Sequence, residues 1–334
     1  MFCTFFIRTL SLTLGVLGRF FYFVKYDIIE VMKIKQKLVD LQVHSTYSDG
    51  SLTPSELFRM AKKQGVEILV VCDHDAATGM ADVKRSANKY GFPFISGIEM
   101  TIAFKKEELH LLGYGFDHNH PVMKKAAKFY MDSRTERMKK MILNLRKIGY
   151  KVTFTQVSKR AKSVIGRPHL ADQVIFDKKN KSMLMKEFGF VPDRSLFIQK
   201  YLIKGTKAFV EKKNLSARDG IKLIHKAGGF AFISHPLGRR YSPDLSLWPV
   251  KGSWSQNLLE LKKMGLDGIE AYASDHFIKD VKSLIEFANK QHLCITGGSD
   301  FHNSNIPGLP LGYISKTRPI PYSVGEKLLK LVAK

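Results

Sequence analysis

The chain has 334 residues, 44% hydrophobic and 25% charged, which excludes a mostly disordered polymer and allows a sizeable core without disulfides. Its 54 Lys+Arg against 30 Asp+Glu leave a formal charge of +24, implying attraction to polyanions such as nucleic acid, nucleotides or an anionic membrane surface. The three cysteines, Cys3, Cys72 and Cys294, are too few and too scattered for a disulfide framework or a thiolate zinc site, and imply a reducing, cytoplasmic setting.

Residues 1–31 are aromatic-rich and unlike the rest of the chain. A membrane span needs roughly 20 apolar residues. Arg8 and Arg19 bracket a shorter run, and no small-residue cleavage site follows. Met32 opens a short basic lead into a strand at Leu38–Val43, so translation is expected to start there; a membrane-associating leader is the alternative. Further strand-like runs fall at Ile68–Cys72, Pro93–Ser96, Glu108–Tyr114, Phe230–Ser234, Gly268–Ala271, Cys294–Thr296 and Gly312–Ile314. Helical segments separate many of them. Thr53-Pro54-Ser55-Glu56 offers an N-cap, a first-turn proline and a capping-box glutamate, with Gly65 placed to end the helix. Ser216 to Gly228 repeats the device. Alternating strands and helices predict an α/β fold on a parallel sheet, open or closed into a barrel.

From Asp117 to about Thr206 the strand signal disappears, and Lys124 to Ile148 reads as one long basic helix. Residues 121–220 hold 25 Lys+Arg against 8 Asp+Glu, so most of the positive charge lies in one stretch. A solvated helical surface explains part of that; so much of one sign favours a binding face.

The chemistry-bearing residues follow the strands: His44 and Ser48-Asp49-Gly50, then Cys72-Asp73-His74-Asp75, Gly97-Ile98-Glu99, His110, Ser234-His235-Pro236 and Ser299-Asp300-Phe301-His302. They are expected near the C-terminal ends of successive strands, the face on which α/β barrels build active sites. One such histidine is ordinarily a hydrogen-bonded core residue. Eight in register, His44, Asp49, His74, Glu99, His110, His235, Asp300 and His302, point to a metal centre. Histidine and carboxylate without thiolate suits Mn²⁺, Zn²⁺ or Fe²⁺, and a bridging carboxylate can hold two ions.

This set resembles the PHP (polymerase and histidinol phosphatase) family from Val39 to Ile314, and within it the ribonuclease AM or 3′,5′-nucleotide bisphosphatase group. The marker for that group is Gly166-Arg167-Pro168-His169-Leu170-Ala171. The resemblance implies a distorted (β/α)7 barrel, 36–117 and 207–334, with an inserted basic helical subdomain at 118–206. It also implies two or three ions, usually Mn²⁺. The first would take position 42, His44, Glu99 and Asp300; the second Asp49, His74 and His302; the third Glu99, His110 and His235. Arg167 and His169 would hold substrate phosphate, and Asp73 and Asp75 would orient His74. Independently of the resemblance, Arg239-Arg240, just after His235-Pro236, is placed to meet substrate phosphate or an RNA backbone. The implied reaction is hydrolysis of nucleotide phosphate esters by a metal-activated hydroxide. It would be exonucleolytic from the 5′ end of RNA or oligonucleotides, or directed at 3′,5′-bisphosphonucleotides, with no stable protein partner implied.

One position departs. The family carries His-x-His where this chain has Gln42-Val43-His44, and an amide oxygen is the poorer ligand. Reduced metal affinity with retained activity is the favoured consequence, and decay to a non-catalytic RNA-binding protein is the alternative. A histidinol-phosphate phosphatase is the enzymatic rival, disfavoured because a small monoester needs no extended basic face. Elsewhere, His118 and His120 are expected in a solvated loop, His225 and His292 in structural roles, His276 near the rim at most, and Cys72 as buried packing.

Overall fold

The computed structural model describes residues 37–161, 164–238, 253–302 and 309–333. The expectations for residues 1–31, for Met32 and for Arg239 and Arg240 lie outside the described residues.

The first strand, β1 (Leu38–Val43), pairs in parallel with β2 (Val66–Val71). Between them α1 (Pro54–Gln64) has the predicted ends: Thr53 and Glu56 close a capping box, and Gly65 takes a left-handed φ of 80°. After β2 comes α2 (Met80–Tyr90). Both strands of the pair are almost wholly buried. Leu57, Phe58, Met80 and Val83 from the two helices pack with Val43, Leu69 and Val71, the both-faces burial of a sheet covered on each side.

The second sheet is ordered β5-β3-β4-β6-β7-β8. It contains β3 (Gly97–Phe104), β4 (Glu107–Tyr114), β5 (Leu215–Ser216), β6 (Phe230–Ile233), β7 (Gly268–Ala273) and β8 (Cys294–Gly298). The strands β6, β7 and β8 run parallel, whereas β4 is antiparallel to both its neighbours, β3 and β6. The two sheets touch in two places. His74 bridges Glu99 beyond the end of β2, and Val43 bridges Phe301 beyond the end of β8. Between these strands lie α8 (Ala217–Lys226), α9 (Trp254–Lys263) and α10 (Ile278–Lys290). A short hairpin, β9 (Tyr313–Ser315) with β10 (Arg318–Pro319), then leads to α11 (Tyr322–Val332), whose Val324 and Leu328 pack with Val39 and Leu41 of β1.

The expected strand at Pro93–Ser96 is absent. Those residues are irregular, and the strand begins at Gly97. Pro93 has no N–H for a ladder, and the alternating run from Ile98 to Phe104 carries the pairing instead. The picture of every candidate ligand at a C-terminal strand end needs the same correction. Glu99 is the third residue of β3 and His110 the fourth of β4. Because β4 runs against its neighbours, its middle rather than its end reaches the level of the site.

Between β4 and β5 the described chain is helical, as expected, beginning with α3 (Pro121–Lys147), for which His120 is the N-cap. There follow α4 (Phe154–Ser158), α5 (Arg167–Phe176), α6 (Lys181–Phe188) and α7 (Arg194–Tyr201). These helices build a core of their own around Met141, Leu145, Tyr150, Leu170, Val174 and Phe197. Among the described residues no helix is long and apolar enough to cross a membrane.

Candidate metal centre

Along β1, Asp40 and Gln42 alternate with Val39, Leu41 and Val43, so the polar residues share one face with His44 just beyond the strand. The exit of β8 runs alongside. Asp300 N donates to Gln42 O at 3.0 Å and His44 N to Phe301 O at 2.9 Å. Gly298 permits that approach, since a Cβ there would lie 2.4 Å from the Gln42 Cβ. Asp40, fully buried, accepts from Ser299 N at 2.9 Å and Gly312 N at 2.8 Å, holding the turn that presents Asp300. Asp300 itself has φ 54°, a left-handed conformation that aspartate tolerates better than most residues.

Glu99 is the hub of the cluster. The β3–β4 register sets His110 opposite Thr101, on the face that also carries Glu99. One Glu99 oxygen, Oε1, lies 2.9 Å from His110 Nδ1 and 3.2 Å from His235 Nε2. The other, Oε2, lies 3.1 Å from His44 Nε2 and 3.4 Å from His74 Nδ1. Asp300 Oδ1 approaches His44 Nε2 to 2.9 Å. Asp49 faces His74 Nε2 at 3.8 Å and His302 Nε2 at 3.4 Å. Burial would raise the Glu99 carboxyl, but His110 and His74 beside it hold it well below the usual range. The same opposition holds Asp49 down, with His302 and His74 outweighing its burial.

Among the described residues, three groups have potential ligand atoms close enough for one ion each: His44 with Asp49, His74 and His302; His74 with Glu99 and His110; and His44 with Glu99 and Asp300. Both ring nitrogens of His44, Nδ1 of His74 and of His110, and Oδ1 of Asp49 are buried beside these neighbours without an aligned hydrogen bond. Buried polar atoms are normally satisfied, and these converge on one another. Their donor set therefore fits divalent ions with nitrogen and oxygen ligation. Gln42 also reaches this cluster. Its side chain is fully buried, with Nε2 3.2 Å from Ser234 Oγ and 3.5 Å from Asp300 Oδ1.

The two aspartates flanking His74 have other partners. Asp73 accepts from Ser45 N, Ser45 Oγ and Ser48 Oγ at 2.7–2.8 Å, fixing the turn that carries Asp49. Asp75 accepts from Thr101 N at 2.6 Å, Arg134 Nε at 2.7 Å and Lys212 Nζ at 2.6 Å. Sequence reasoning missed both cations. It also missed Glu270, which is fully buried in β7 and accepts from His235 N at 2.7 Å. A signal existed for Arg134 and Arg137, which occupy i and i+3 of the helical stripe continued by Met138 and Met141. Glu270 was visible as a carboxylate within the apolar run of β7. Of the remaining histidines, His276 is buried, with Nε2 accepting from Leu237 N at 3.1 Å, and His225 pairs with Asp267 at 2.7 Å. Cys72 is buried packing, as expected.

The cluster opens into a cavity. His74, Glu99, His110 and His302 form one end; Arg134, Arg137, Arg167 and Lys212 supply cations; Met138, Met141, Ile165 and Ile198 supply apolar wall. Arg167 and His169 do not face one cavity together. Arg167 lines this one, whereas His169 lines a second, with Arg160, Asp172 and Arg194. Asp49, Pro168 and His302 belong to both.

A buried histidine–carboxylate cluster beside a cavity lined with arginine fits metal-assisted hydrolysis of phosphate esters. The PHP domain profile matches residues 40–290, and the chain belongs to that family. It is 28% identical to the 3′,5′-nucleoside bisphosphate phosphatase of Chromobacterium violaceum, over 87% of this chain and 96% of that protein. It is 30% identical to a 5′-3′ exoribonuclease of Haemophilus influenzae, over 83% of this chain and 92% of the relative. A solved structure from Bifidobacterium adolescentis has the same fold, with a TM-score of 0.74 at 23% identity, covering 89% of this chain and 96% of its own.

Proposed function

We propose that this protein removes nucleotides from the 5′ end of RNA or short oligonucleotides and releases the 3′-phosphate of 3′,5′-bisphosphonucleotides. The observation that carries the reading is the Glu99 cluster opening into a cavity with four cationic side chains and an apolar wall. A nucleotide presents matching chemistry, with phosphates for the arginines and a base for the methionine and isoleucine surface.

His44, Asp49, His74, Glu99, His110, His235, Asp300 and His302 are the residues assigned to divalent ions, Mn²⁺ being the first choice. Bound ions supply acidified water and positive charge for the developing phosphoryl oxygens. The protein's own part is positioning. Asp73 fixes the Asp49 turn, Asp75 ties the ligand loop to Arg134 and Lys212, and Glu270 holds the His235 backbone. Arg167 grips a non-scissile or departing phosphate through its fork. Hydrolysis joins a water oxygen to phosphorus and breaks the ester P–O bond, the departing oxygen taking a proton from water or a nearby imidazole.

The bridges from the end of β2 to β3 and from β1 to the exit of β8 support one closed surface of seven strands, β1-β2-β3-β4-β6-β7-β8, a distorted (β/α)7 barrel. Residues 118–206 are then its basic helical insertion. The scarcity of cysteine supports a cytoplasmic setting. The test is incubation of purified protein with Mn²⁺, 5′-labelled RNA and 3′,5′-adenosine bisphosphate in parallel. Mn²⁺-dependent release of mononucleotide or phosphate is expected, and cleavage of neither substrate overturns the reading.

A further inference from the structure

We infer that the second cavity, the one lined by His169, Arg160 and Arg194, is the exit track for a single-stranded oligonucleotide, with Phe176 as a base-stacking platform beside it. The inference rests on the phosphoesterase reading and specifies the length of substrate that the site accepts.

The argument begins with the shared walls. Asp49 and His302 line both cavities, and Pro168 at the start of α5 separates them. A phosphodiester held at the cluster therefore has two ways out. The first leads into the cavity with the apolar wall, suited to one nucleoside. The second leads between Arg160, His169 and Arg194. A mononucleotide needs one of these; a chain with residues on both sides of the cleaved bond needs both.

The second cavity is also built for a backbone. The Arg194 guanidinium is held in a fork by Asp172, with Nε to Oδ1 at 2.9 Å and Nη2 to Oδ2 at 2.6 Å. Arg160 is oriented by Gln173, which accepts from its Nε at 2.8 Å. On the same guanidinium lies Phe176, its ring centroid 5.8 Å from the Arg160 carbon and its side chain 68% exposed. A lone exposed aromatic is ordinary. An exposed aromatic stacked on a cavity-lining arginine, and followed in the chain by the exposed Lys178 and Lys179, is the pairing by which proteins hold single strands without reading sequence. His169 and Arg194 then follow successive phosphates while a base lies on Phe176.

The test uses 5′-phosphorylated oligoadenylates of two and six nucleotides, labelled with fluorescein at the 3′ end, beside 3′,5′-adenosine bisphosphate. The hexamer should be hydrolysed with a higher kcat/KM than the dimer and bind more tightly by anisotropy without added metal. Phe176→Ala should lower the hexamer-to-dimer ratio in both measurements by about fivefold or more, the value of one lost base stack. Arg160→Ala should reduce the salt slope of hexamer binding by about 0.7. Equal handling of the two lengths by the wild-type protein, or ratios untouched by Phe176→Ala, overturns the track while hydrolysis of the bisphosphate leaves the phosphoesterase reading in place. Length-dependent, Phe176-dependent binding with no hydrolysis of any substrate does the reverse.

Discussion

Glu99 divides its two oxygens among four imidazoles, His110 and His235 on one and His44 and His74 on the other. Converting it to glutamine keeps the shape and removes the charge that those rings share. Glu99→Gln should release ions from more than one site and lower turnover at least ~100-fold, beyond the usual cost of losing a residue that merely supports a ligand. Elemental analysis alongside turnover checks this; full metal content in the variant would contradict the bridging role. Gln42 makes the converse prediction. Its amide is engaged by Ser234 and Asp300 rather than left idle, so the position is occupied by a weak donor in the place of a strong one. Gln42→His should raise the metal retained after dialysis against a chelator and raise turnover. Unchanged stoichiometry and unchanged turnover would show that the amide costs the site nothing.

At the level of elements, what could be read in the sequence was what local chemistry decides. Thr53 and Gly65 set the ends of α1 because caps are satisfied within a few residues. The candidate ligand residues were recognisable because each sits in a short motif after or within a strand. The start of β3 was not, since Gly97-Ile98-Glu99 looks like a turn until Gly97 is seen paired with Tyr114 of β4. Lys212 was hidden for a different reason. In a segment crowded with lysines, only its burial beside Asp75, 137 residues away, sets it apart. Arg134 from α3 and Lys212 from the segment returning to β5 thus clamp the residue next to His74. Asp75→Asn leaves those two cations buried together and should destabilise the fold by about 3–5 kcal/mol. Denaturant unfolding reads this as a lower midpoint at unchanged m-value, and an unmoved midpoint would mean that the clamp carries no net stability.

For the molecule as a whole, the pH dependence of stability carries a signature of the same clamp. Burial, with Arg134 adding to it and Asp75 opposing, pushes the Lys212 ammonium down from 10.5 to about 8. Above pH 8 the folded chain gives up a proton that the unfolded chain keeps until about 10.5, so this group's contribution to stability rises across that window and is least favourable below it. Lys212→Met should remove the rise. The melting-temperature difference between wild type and variant, followed from pH 7 to 10, should move toward the wild type; a constant difference would contradict the assignment.

The hydrogen bond from Asp300 N to Gln42 O joins the first strand of the described chain to a segment 258 residues later. Asp300 supplies the carboxylate nearest His44, and His302 stacks on the His44 ring with centroids 4.1 Å apart. On the ribosome, the N-terminal members of the cluster wait through the synthesis of nearly everything else before these two arrive. The two groups that include Asp300 or His302 are therefore completed late in biosynthesis, whereas His74, Glu99 and His110 have all been made by residue 110.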